Sequence, residues 1–252
     1  MVRVAPLTLP DLPPSGSLRR SVALFRAFRA EQTDPDRFYG LLAADSARQV
    51  EGYAELAGRT VLDVGGGPGY FAEAFRARGA SYVSVDSDLG ELSARATPGP
   101  GAVLGSALAL PIRAAAVDVC FSSNVLEHVA RPETMAEEMV RVTRPGGLVF
   151  LSFTTWLSPW GGHETSPWHY LGGHRAARRY ARSTGLAPKN HYGETLFAIS
   201  AGRMLRWARG RHDADLVDAL PRYHPSWASW LVSVPGLREI AVWNLLVVLR
   251  KR

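Results

Sequence analysis

The sequence predicts an α/β fold, an open and mostly parallel sheet with helices on both faces, from three observations. An apolar run over residues 61–64 contains one acid and passes directly into a glycine-rich turn. A second β-rich run, residues 81–86, ends in another acid. Further apolar runs then alternate with helical segments, which is the pattern of parallel strands joined by crossover helices.

The other elements follow from apolar spacing and turn residues. Residues 1–16 are rich in proline and are expected to be extended or disordered. Helical spacing of apolar residues predicts helices over residues 17–31, 36–57, 132–143 and 201–209, the last capped by Ser200. The remaining strands are predicted at residues 102–105, from residue 117, after the Pro-Gly-Gly turn at 145–147, and near residues 215–220 and 240–249.

The glycine turn predicts a site for a nucleotide-like cofactor. Glycine tolerates positive φ and lets a ligand approach the main chain, and the first amides of the next helix favour a polar group. The spacing is Gly-x-Gly-x-Gly with Tyr70 next, not the dinucleotide pattern, so a nicotinamide oxidoreductase is disfavoured. Asp86 ends the second strand, where a carboxylate can accept both ribose hydroxyls, although it could instead cap a helix, as could Asp88.

At residues 58–153 the sequence resembles the class I S-adenosylmethionine-dependent methyltransferases, and more narrowly the type 11-like and uncharacterised actinobacterial members. The resemblance rests on the acid and glycine turn, Asp86, the Leu-Pro pair at 110–111 and the Pro-Gly-Gly turn. It implies a Rossmann-like sheet of seven strands with an antiparallel seventh strand, and lid helices before the first strand. It also implies S-adenosylmethionine as cofactor.

The resemblance assigns the cofactor contacts residue by residue. Ser106 stands where the family often has an adenine-binding Asp, so that contact loses its charge. The turn at 122–124 follows the fourth strand and would face the methyl group. The implied cofactor-binding residues are Asp63, Gly65, Gly66, Gly67, Gly69, Asp86, Ser87, Ser106, Ala107, Ser122, Ser123 and Asn124.

The insertion over residues 154–198 is the expected place of acceptor recognition, because loops beyond the strand ends form ligand crevices in open α/β sheets. It holds three tryptophans and four histidines, and Gly-Gly pairs at 161–162 and 172–173 flank its polar clusters. Aromatic walls with a few polar groups are typical of a small-molecule pocket. The predicted substrate-binding residues are Trp156, Trp160, His163, Glu164, Tyr170 and Tyr192.

Three mechanisms remain open for this insertion. In the first, His163 takes the proton of an attacking hydroxyl, with His169 and His191 as substitutes. In the second, a metal ion activates the hydroxyl; some related methyltransferases bind Mg²⁺ through Glu-x-x-Glu-His and a distant His. Here Asn124 replaces the first carboxylate before Glu127 and His128, so no metal is expected. In the third, the protein only aligns the reactants and excludes water.

Composition and charge limit the partners and the cellular compartment that we expect for the protein. The net charge is +6, carried almost wholly by arginine, but no basic run alternates with stacking aromatics, so no nucleic-acid partner is expected. A single cysteine, Cys120, lies in an apolar strand and indicates a reducing cytoplasm. No signal peptide or transmembrane span is predicted. A weak peripheral membrane contact stays open, because residues 227–243 hold several tryptophans and leucines.

Together these observations predict one methyltransferase domain over residues 1–252. Its parts are an N-terminal extension and lid (1–57), a cofactor-binding core (58–153), the insertion (154–198) and the end of the sheet (199–252). The expected reaction is O-methylation of a small-molecule or lipid-like acceptor. N- or C-methylation, and a non-catalytic cofactor-binding protein, are the alternatives, and the sequence gives no oligomeric state.

Overall fold

A computed structural model describes residues 13–31, 33–94 and 99–252, and it contains a seven-stranded mixed sheet. The strands lie in the order β3-β2-β1-β4-β5-β7-β6. β7 is antiparallel to both of its neighbours, whereas β1 to β5 are parallel, so the predicted fold class is confirmed. The strands are β1 (Thr60–Val64), β2 (Ser81–Asp86), β3 (Ala102–Leu104), β4 (Val117–Ser123), β5 (Thr143–Thr154), β6 (Ala214–Pro221) and β7 (Asn244–Lys251).

Eight α-helices are described around the sheet, and several begin at the polar residues that the sequence offers. Ser17, Asp34 and Ser200 each accept a hydrogen bond from a first-turn amide, so the predicted cap at Ser200 is confirmed. The helices are α1 (Leu18–Phe28), α2 (Pro35–Glu51), α3 (Tyr70–Arg76), α4 (Leu89–Ser93), α5 (Pro132–Val142), α6 (Gly173–Thr184), α7 (Ala201–Arg209) and α8 (Leu237–Ala241).

The helices bury both faces of the sheet, because successive strand residues point to opposite sides. Leu62 and Cys120 pack with α5 and α7 on one face. Val61 and Phe121 pack with α2 and α3 on the other. Strands buried on both faces read as continuous apolar runs, which is why the central strands were recognisable in the sequence.

Three predicted boundaries are wrong. Strand β7 begins at Asn244 rather than near residue 240, because residues 237–241 form the short helix α8. Helix α2 ends at Glu51, six residues before the predicted end. Strand β5 begins at Thr143, and the Pro-Gly-Gly turn forms an irregularity within it, with Gly146 at φ +76° and a shift in the pairing with β4.

The insertion contains a helix, α6, that apolar spacing did not reveal. Its sequence is arginine-rich, and of its residues Gly173 and Ala176 are buried. Small residues leave little apolar signal, so a helix that packs through glycine and alanine escapes a search for hydrophobic periodicity. Gly173 lies against the Tyr192 ring, where a Cβ atom would come within 2.1 Å of it.

A buried ion pair attaches helix α1 to the rest of the molecule. Arg20 and Asp45 are both almost fully buried, and the guanidinium donates two hydrogen bonds to the carboxylate at 2.7 and 2.6 Å. Arg20 also donates to the backbone carbonyl oxygen of Arg222, at the end of β6. The N-terminal helices therefore meet the sheet beside β6. The part of the proline-rich stretch up to residue 12 lies outside the described residues.

Candidate functional site

The glycine turn lies at the carboxyl end of β1, beside the end of β2. Gly65, Gly67 and Gly69 have φ of +79°, +48° and +80°, a region that side chains other than glycine rarely adopt. A Cβ on Gly65 would meet Val125 at 2.4 Å, whereas one on Gly67 or Gly69 would meet nothing within 4 Å. One side of the turn is therefore packed, and the other offers bare backbone to a ligand.

Asp86 holds this turn in place from β2. Its Oδ2 accepts a hydrogen bond from the amide of Gly67 at 3.0 Å, and its Oδ1 accepts one from the amide of Asp88. Asp88 caps α4, so the rival role of helix cap falls to Asp88. Ser87, between them, is exposed. A half-buried carboxylate at the end of β2 fits the hydroxyls of a ribose.

Asp63 lies beneath the turn and is almost fully buried. The Tyr82 hydroxyl donates a hydrogen bond to its Oδ2 at 2.5 Å. Burial raises the pKa of the Asp63 carboxyl to about 7, and the negative charge of Asp86 adds to this, while the Tyr82 hydrogen bond acts in the opposite direction. A cationic group nearby would favour the ionised carboxylate, as the ammonium of an amino acid would.

The turn after β3 offers few polar contacts. The Ser106 hydroxyl accepts a hydrogen bond from the amide of Leu108 at 3.1 Å, which closes a local turn around Ala107. Ser106 is exposed and Ala107 is half-buried. The uncharged hydroxyl is thus partly engaged by its own backbone, consistent with a weaker contact here than the family's Asp would give.

The last residues of β4 and the residue after it, Asn124, all have side chains that are hydrogen-bonded within the protein. Ser122 is fully buried and donates to the carbonyl oxygen of Val64, which joins β4 to β1. Ser123 accepts a hydrogen bond from Arg222 at 2.7 Å. Asn124 has φ +58°, and its side chain bonds to Tyr223 and Asn244. Asn is among the few residues that adopt this conformation readily, so the turn needs the type of residue found there.

Arg222, which the sequence analysis missed, connects this edge to the N-terminal helices. It is 2% exposed and donates hydrogen bonds to side-chain oxygens from three other elements. Burial lowers the pKa of its guanidinium. Its partners are separated from it by up to 176 residues, so no local signal marks the group. The side chains that accept from Arg222 are Ser46, Gln49, Ser123, Ser152 and the neighbouring Tyr223.

The predicted substrate residues fall into two groups in the insertion. Trp156 and Tyr192 pack together at 4.8 Å between ring centroids, close to the buried His169. Glu164 accepts hydrogen bonds from the amide and the side chain of Asn190 at 2.6 and 2.8 Å. This group therefore ties the two ends of the insertion together. Tyr170 is exposed beside it.

Trp160 belongs instead to an aromatic wall formed by three separate segments. Its ring lies 5.2 Å from Phe28 and 6.0 Å from Phe25 of α1, and 6.2 Å from Trp243, which precedes β7. The amide of His163 donates to the carbonyl oxygen of Trp160. The wall is defined as Phe25, Phe28, Trp160 and Trp243, and His163 follows its Trp160 by one turn of the chain.

His163 meets two residues that follow β4. One ligand atom each from Glu127, His128 and His163 lies within 4.8 Å of the other two. His163 has φ +50°, an uncommon backbone conformation for histidine. Burial lowers the pKa of its imidazole, which keeps the ring uncharged near neutral pH. An uncharged imidazole can accept a proton or bind a metal ion.

The other two candidate histidines differ from His163. Both ring nitrogens of His169 are engaged: Nε2 with the carbonyl oxygen of Ser158 at 3.1 Å, and Nδ1 with the hydroxyl of Ser166 at 3.3 Å. Its position indicates a structural role. His191 is exposed, and its backbone carbonyl oxygen accepts hydrogen bonds within the following turn. Of the three histidines, His163 is the one beside Glu127 and His128.

The ends of β1, β2 and β3 form one region, named the cofactor edge, and α1, the insertion and the end of β6 meet in a second region, named the acceptor mouth for the role proposed below. No helix among the described residues is long and apolar enough to cross a membrane. Residues 62–151 match the family model described as a methyltransferase domain, which spans the strands that build the cofactor edge.

Relatives and solved structures agree with this match. An uncharacterized methyltransferase of Mycobacterium marinum is 54% identical over 246 residues, covering 94% of this chain and 96% of the relative. One from Mycolicibacterium gilvum is 54% identical over 244 residues, covering 93% and 95%. The structure of a methyltransferase from Mesorhizobium loti has a TM-score of 0.56 at 18% identity, covering 84% of this chain and 98% of that one.

A TehB-like methyltransferase from Corynebacterium glutamicum has the same TM-score, 0.56, at 17% identity, covering 94% of this chain and 100% of that one. At this level of identity the two solved structures show the fold alone, whereas the mycobacterial relatives show the family. The open backbone at Gly67 and Gly69, with Asp86 beside it, fits the cofactor of that family. The chain therefore belongs to the S-adenosylmethionine-dependent methyltransferases, and its cofactor is S-adenosylmethionine.

Proposed function

We propose that the enzyme methylates a hydroxyl oxygen of a small or lipid-like acceptor that carries an apolar part. The aromatic wall is the observation that carries this proposal. Its four rings come from α1, the insertion and the segment before β7, with centroids 5.2 to 6.2 Å apart. Aromatic rings beside a few polar groups suit an acceptor with an apolar body and one reactive polar atom.

The cofactor contacts are proposed on the geometry of the turn. Gly67 and Gly69 leave backbone open to the ligand, Gly65 packs against Val125, and Asp86 is proposed to accept from the ribose. The cofactor's ammonium would lower the raised pKa of Asp63, because a nearby cation favours the ionised carboxylate. Ser122 and Ser123 act through the backbone, because their hydroxyls already bond to Val64 and Arg222.

The acceptor is proposed to react beside His163. Bound S-adenosylmethionine supplies an electrophilic methyl group, whose bond to sulfur breaks with both electrons remaining on sulfur. The chain contributes alignment of the acceptor and removal of the hydroxyl proton at the cluster of Glu127, His128 and His163. Proximity and orientation supply much of the rate in such displacements, and the uncharged imidazole is the group beside the wall that can take part in the proton's removal.

The lipid-like part of the proposal is supported by helix α6. Arg175, Arg178, Arg179 and Arg182 share one side of the helix at helical spacing, and none of them forms an ion pair with another described residue. Arg179 stacks on the exposed Trp168 at 3.6 Å. Exposed basic and aromatic residues together suit the surface of an anionic membrane, from which a lipid-like acceptor could be taken.

An acceptor panel tests the reaction. Matched long-chain alcohols, amines and short polar alcohols are incubated with the enzyme, and release of S-adenosylhomocysteine is measured. Turnover is expected with the long-chain alcohol. Transfer to the amine alone would indicate N-methylation, and tight cofactor binding without turnover on any member would support a non-catalytic binding protein.

The aromatic wall is tested with Trp160→Ala and the conservative control Trp160→Phe. Removing the ring should raise KM for the apolar acceptor by about 10-fold, equivalent to about 1.4 kcal/mol of contact, and should leave KM for S-adenosylmethionine unchanged. The Phe variant should retain most of the affinity. Equal losses for acceptor and cofactor would exclude the wall as an acceptor surface.

The membrane contact is tested by co-sedimentation with anionic and neutral vesicles at low salt. The double variant Arg175→Glu/Arg178→Glu should lose binding to anionic vesicles and should keep turnover on a soluble acceptor. Failure of the unmodified enzyme to sediment with anionic vesicles would remove the membrane from the proposal and leave the acceptor chemistry standing.

A further inference from the structure

We propose that Glu127, His128 and His163 form a binding site for one divalent transition-metal ion of the zinc and cobalt class. The binding itself stands on the geometry of the three side chains. The role of the ion in activating a hydroxyl rests on the proposed O-methylation.

The three side chains converge from two distant parts of the chain. Glu127 and His128 lie in a short 3₁₀ turn after β4, and His163 begins another such turn in the insertion. Their ligand atoms lie within 4.8 Å of one another. Ligands that share an ion at 2.0–2.2 Å are about 3 to 4 Å apart, so closing on an ion needs side-chain shifts of about 1 Å or less.

Two atoms at this point are buried without a hydrogen-bond partner among the described residues. They are Oε2 of Glu127 and Nε2 of His163. Glu127 is 1% exposed, so its free oxygen is removed from solvent as well as from protein donors. A buried carboxylate oxygen without a partner is costly, and a cation between the carboxylate and the imidazole would offset that cost.

The supporting hydrogen bonds orient the ligands. Oε1 of Glu127 accepts from the amide of Thr154 at 3.0 Å, which leaves Oε2 as the free oxygen. Nδ1 of His128 lies 2.7 Å from the carbonyl oxygen of Thr195 and so carries its proton, which leaves the lone pair on Nε2. Backbone contacts that fix the tautomer and the carboxylate in this way are typical of metal sites.

The donor set points to the class of ion. Mg²⁺ and Ca²⁺ prefer oxygen ligands, and the loss of a carboxylate at Asn124 leaves Glu127 as the carboxylate among these three residues. Two imidazole ligands with one carboxylate suit zinc, cobalt and related divalent ions instead. The side chain of Asn124 is taken by Tyr223 and Asn244, so it faces other partners.

Three protein ligands leave an open position on such an ion. A hydroxyl acceptor in that position would lose its proton more readily, because a bound cation lowers the pKa of a coordinated oxygen. His163 follows Trp160 by one turn of the chain, because its amide donates to the Trp160 carbonyl oxygen. The proposed ion would therefore be bound by the same segment of the insertion that contributes Trp160 to the aromatic wall.

The test uses the full chain stripped of metal with a chelator and then titrated with Co²⁺, whose visible spectrum reports its ligands. One Co²⁺ per chain is expected, with Zn²⁺ displacing it and millimolar Mg²⁺ failing to do so. Glu127→Gln and His163→Ala should each weaken Co²⁺ binding by about 100-fold. His212→Ala, which changes an exposed histidine before β6, is the matched control and should bind normally.

Cofactor affinity, measured by calorimetry on each variant, separates loss of the site from loss of the fold. Absence of Co²⁺ and Zn²⁺ binding by the unmodified chain, or unchanged binding in both ligand variants, overturns the proposal. Preferential binding of Mg²⁺ overturns the assigned class of ion. Stoichiometric binding with turnover indifferent to the chelator overturns the role in hydroxyl activation, while the acceptor panel alone decides O-methylation.

Discussion

The cofactor edge and the acceptor mouth of this enzyme are built in different ways. The cofactor edge, formed by the ends of β1, β2 and β3, depends on contacts between residues about 20 apart, such as the Gly67 amide with Asp86. The acceptor mouth joins α1, the insertion and the end of β6 across most of the chain. The Arg20 guanidinium donates to the backbone carbonyl oxygen of Arg222, 202 residues away, and Trp160 packs against Phe25 and Trp243.

The difference shows which kind of contact determines the shape of each region. A bare backbone turn presents nearly the same surface in any sequence that keeps its glycines and its acid. Long-range contacts between side chains instead hold the mouth in one shape that depends on many positions at once. Changes at the mouth should therefore alter stability and acceptor binding together, while changes at the cofactor edge should act mainly on the cofactor.

The largest effect is expected from Asp45→Ala. The substitution leaves the buried Arg20 without its carboxylate, which should lower the free energy of unfolding by about 3 to 5 kcal/mol. Urea unfolding at neutral pH measures the change. The double variant Arg20→Met/Asp45→Leu should recover most of the loss, and equal loss in both variants would contradict the ion-pair explanation.

Asp63→Asn should raise the free energy of unfolding relative to the unmodified enzyme by an amount that depends on pH. The folded-state pKa of Asp63 is about 7, above the ordinary value of 3.8, so its contribution to stability is full below pH 3.8 and is lost as the pH rises through 7. An amide does not titrate. The variant should gain up to about 4 kcal/mol relative to the unmodified enzyme between pH 4 and pH 8. A difference that stays constant across this range in urea unfolding would be inconsistent with a raised pKa.

The paired substitutions Gly65→Ala and Gly67→Ala separate packing from backbone strain. Both positions have positive φ, but an alanine at 65 also collides with Val125, while one at 67 meets nothing. The first should lose about 2 to 3 kcal/mol of stability and the second about 1 kcal/mol. Thermal unfolding gives both values, and calorimetry gives the cofactor affinity. Similar stability losses in the two variants would show that the Val125 contact relaxes.

Ser106→Asp is expected to have the smallest effect. A carboxylate there restores the charge that the family often places against the adenine amino group, and it can still accept from the amide of Leu108. S-adenosylmethionine should bind about 3- to 10-fold more tightly, a gain of about 1 kcal/mol. Ser106→Asn is the uncharged control, and unchanged affinity in the Asp variant would mean that the adenine lies elsewhere.

The elements of the cofactor edge could be predicted from the sequence because the residues that mark them are close together in the chain. Gly65, Gly67 and Gly69 must adopt positive φ, and Asp86 ends the next strand, so the elements could be recognised within 30 residues. Arg222 carried no such signal, since an arginine after a strand reads as a surface residue. The aromatic cluster of the insertion was predicted. That Trp160 packs against Phe25 and Trp243 follows from tertiary packing alone.

Helix α6 and the neighbours of His163 were missed for related reasons. Helix α6 packs through Gly173 and Ala176, which give no apolar period. The sequence around Glu127 and His128 was compared with the Glu-x-x-Glu-His pattern of magnesium-binding relatives. Asn124 breaks that pattern, so the convergence of the two residues with His163 was not expected. Only the folding of the insertion back over β4 brings the three side chains together.

The place of β7 in the sheet sets an order of assembly during synthesis. β7 follows β6 along the chain but lies between β5 and β6, so β6 has no neighbouring strand in the sheet until residues 244–251 have left the ribosome. Strands β1 to β5 precede both and can pair beforehand. In a nascent chain that ends before β7, the strands of the cofactor edge are already available for pairing, whereas β6 and the acceptor mouth beside it lack the strand that joins them to the sheet.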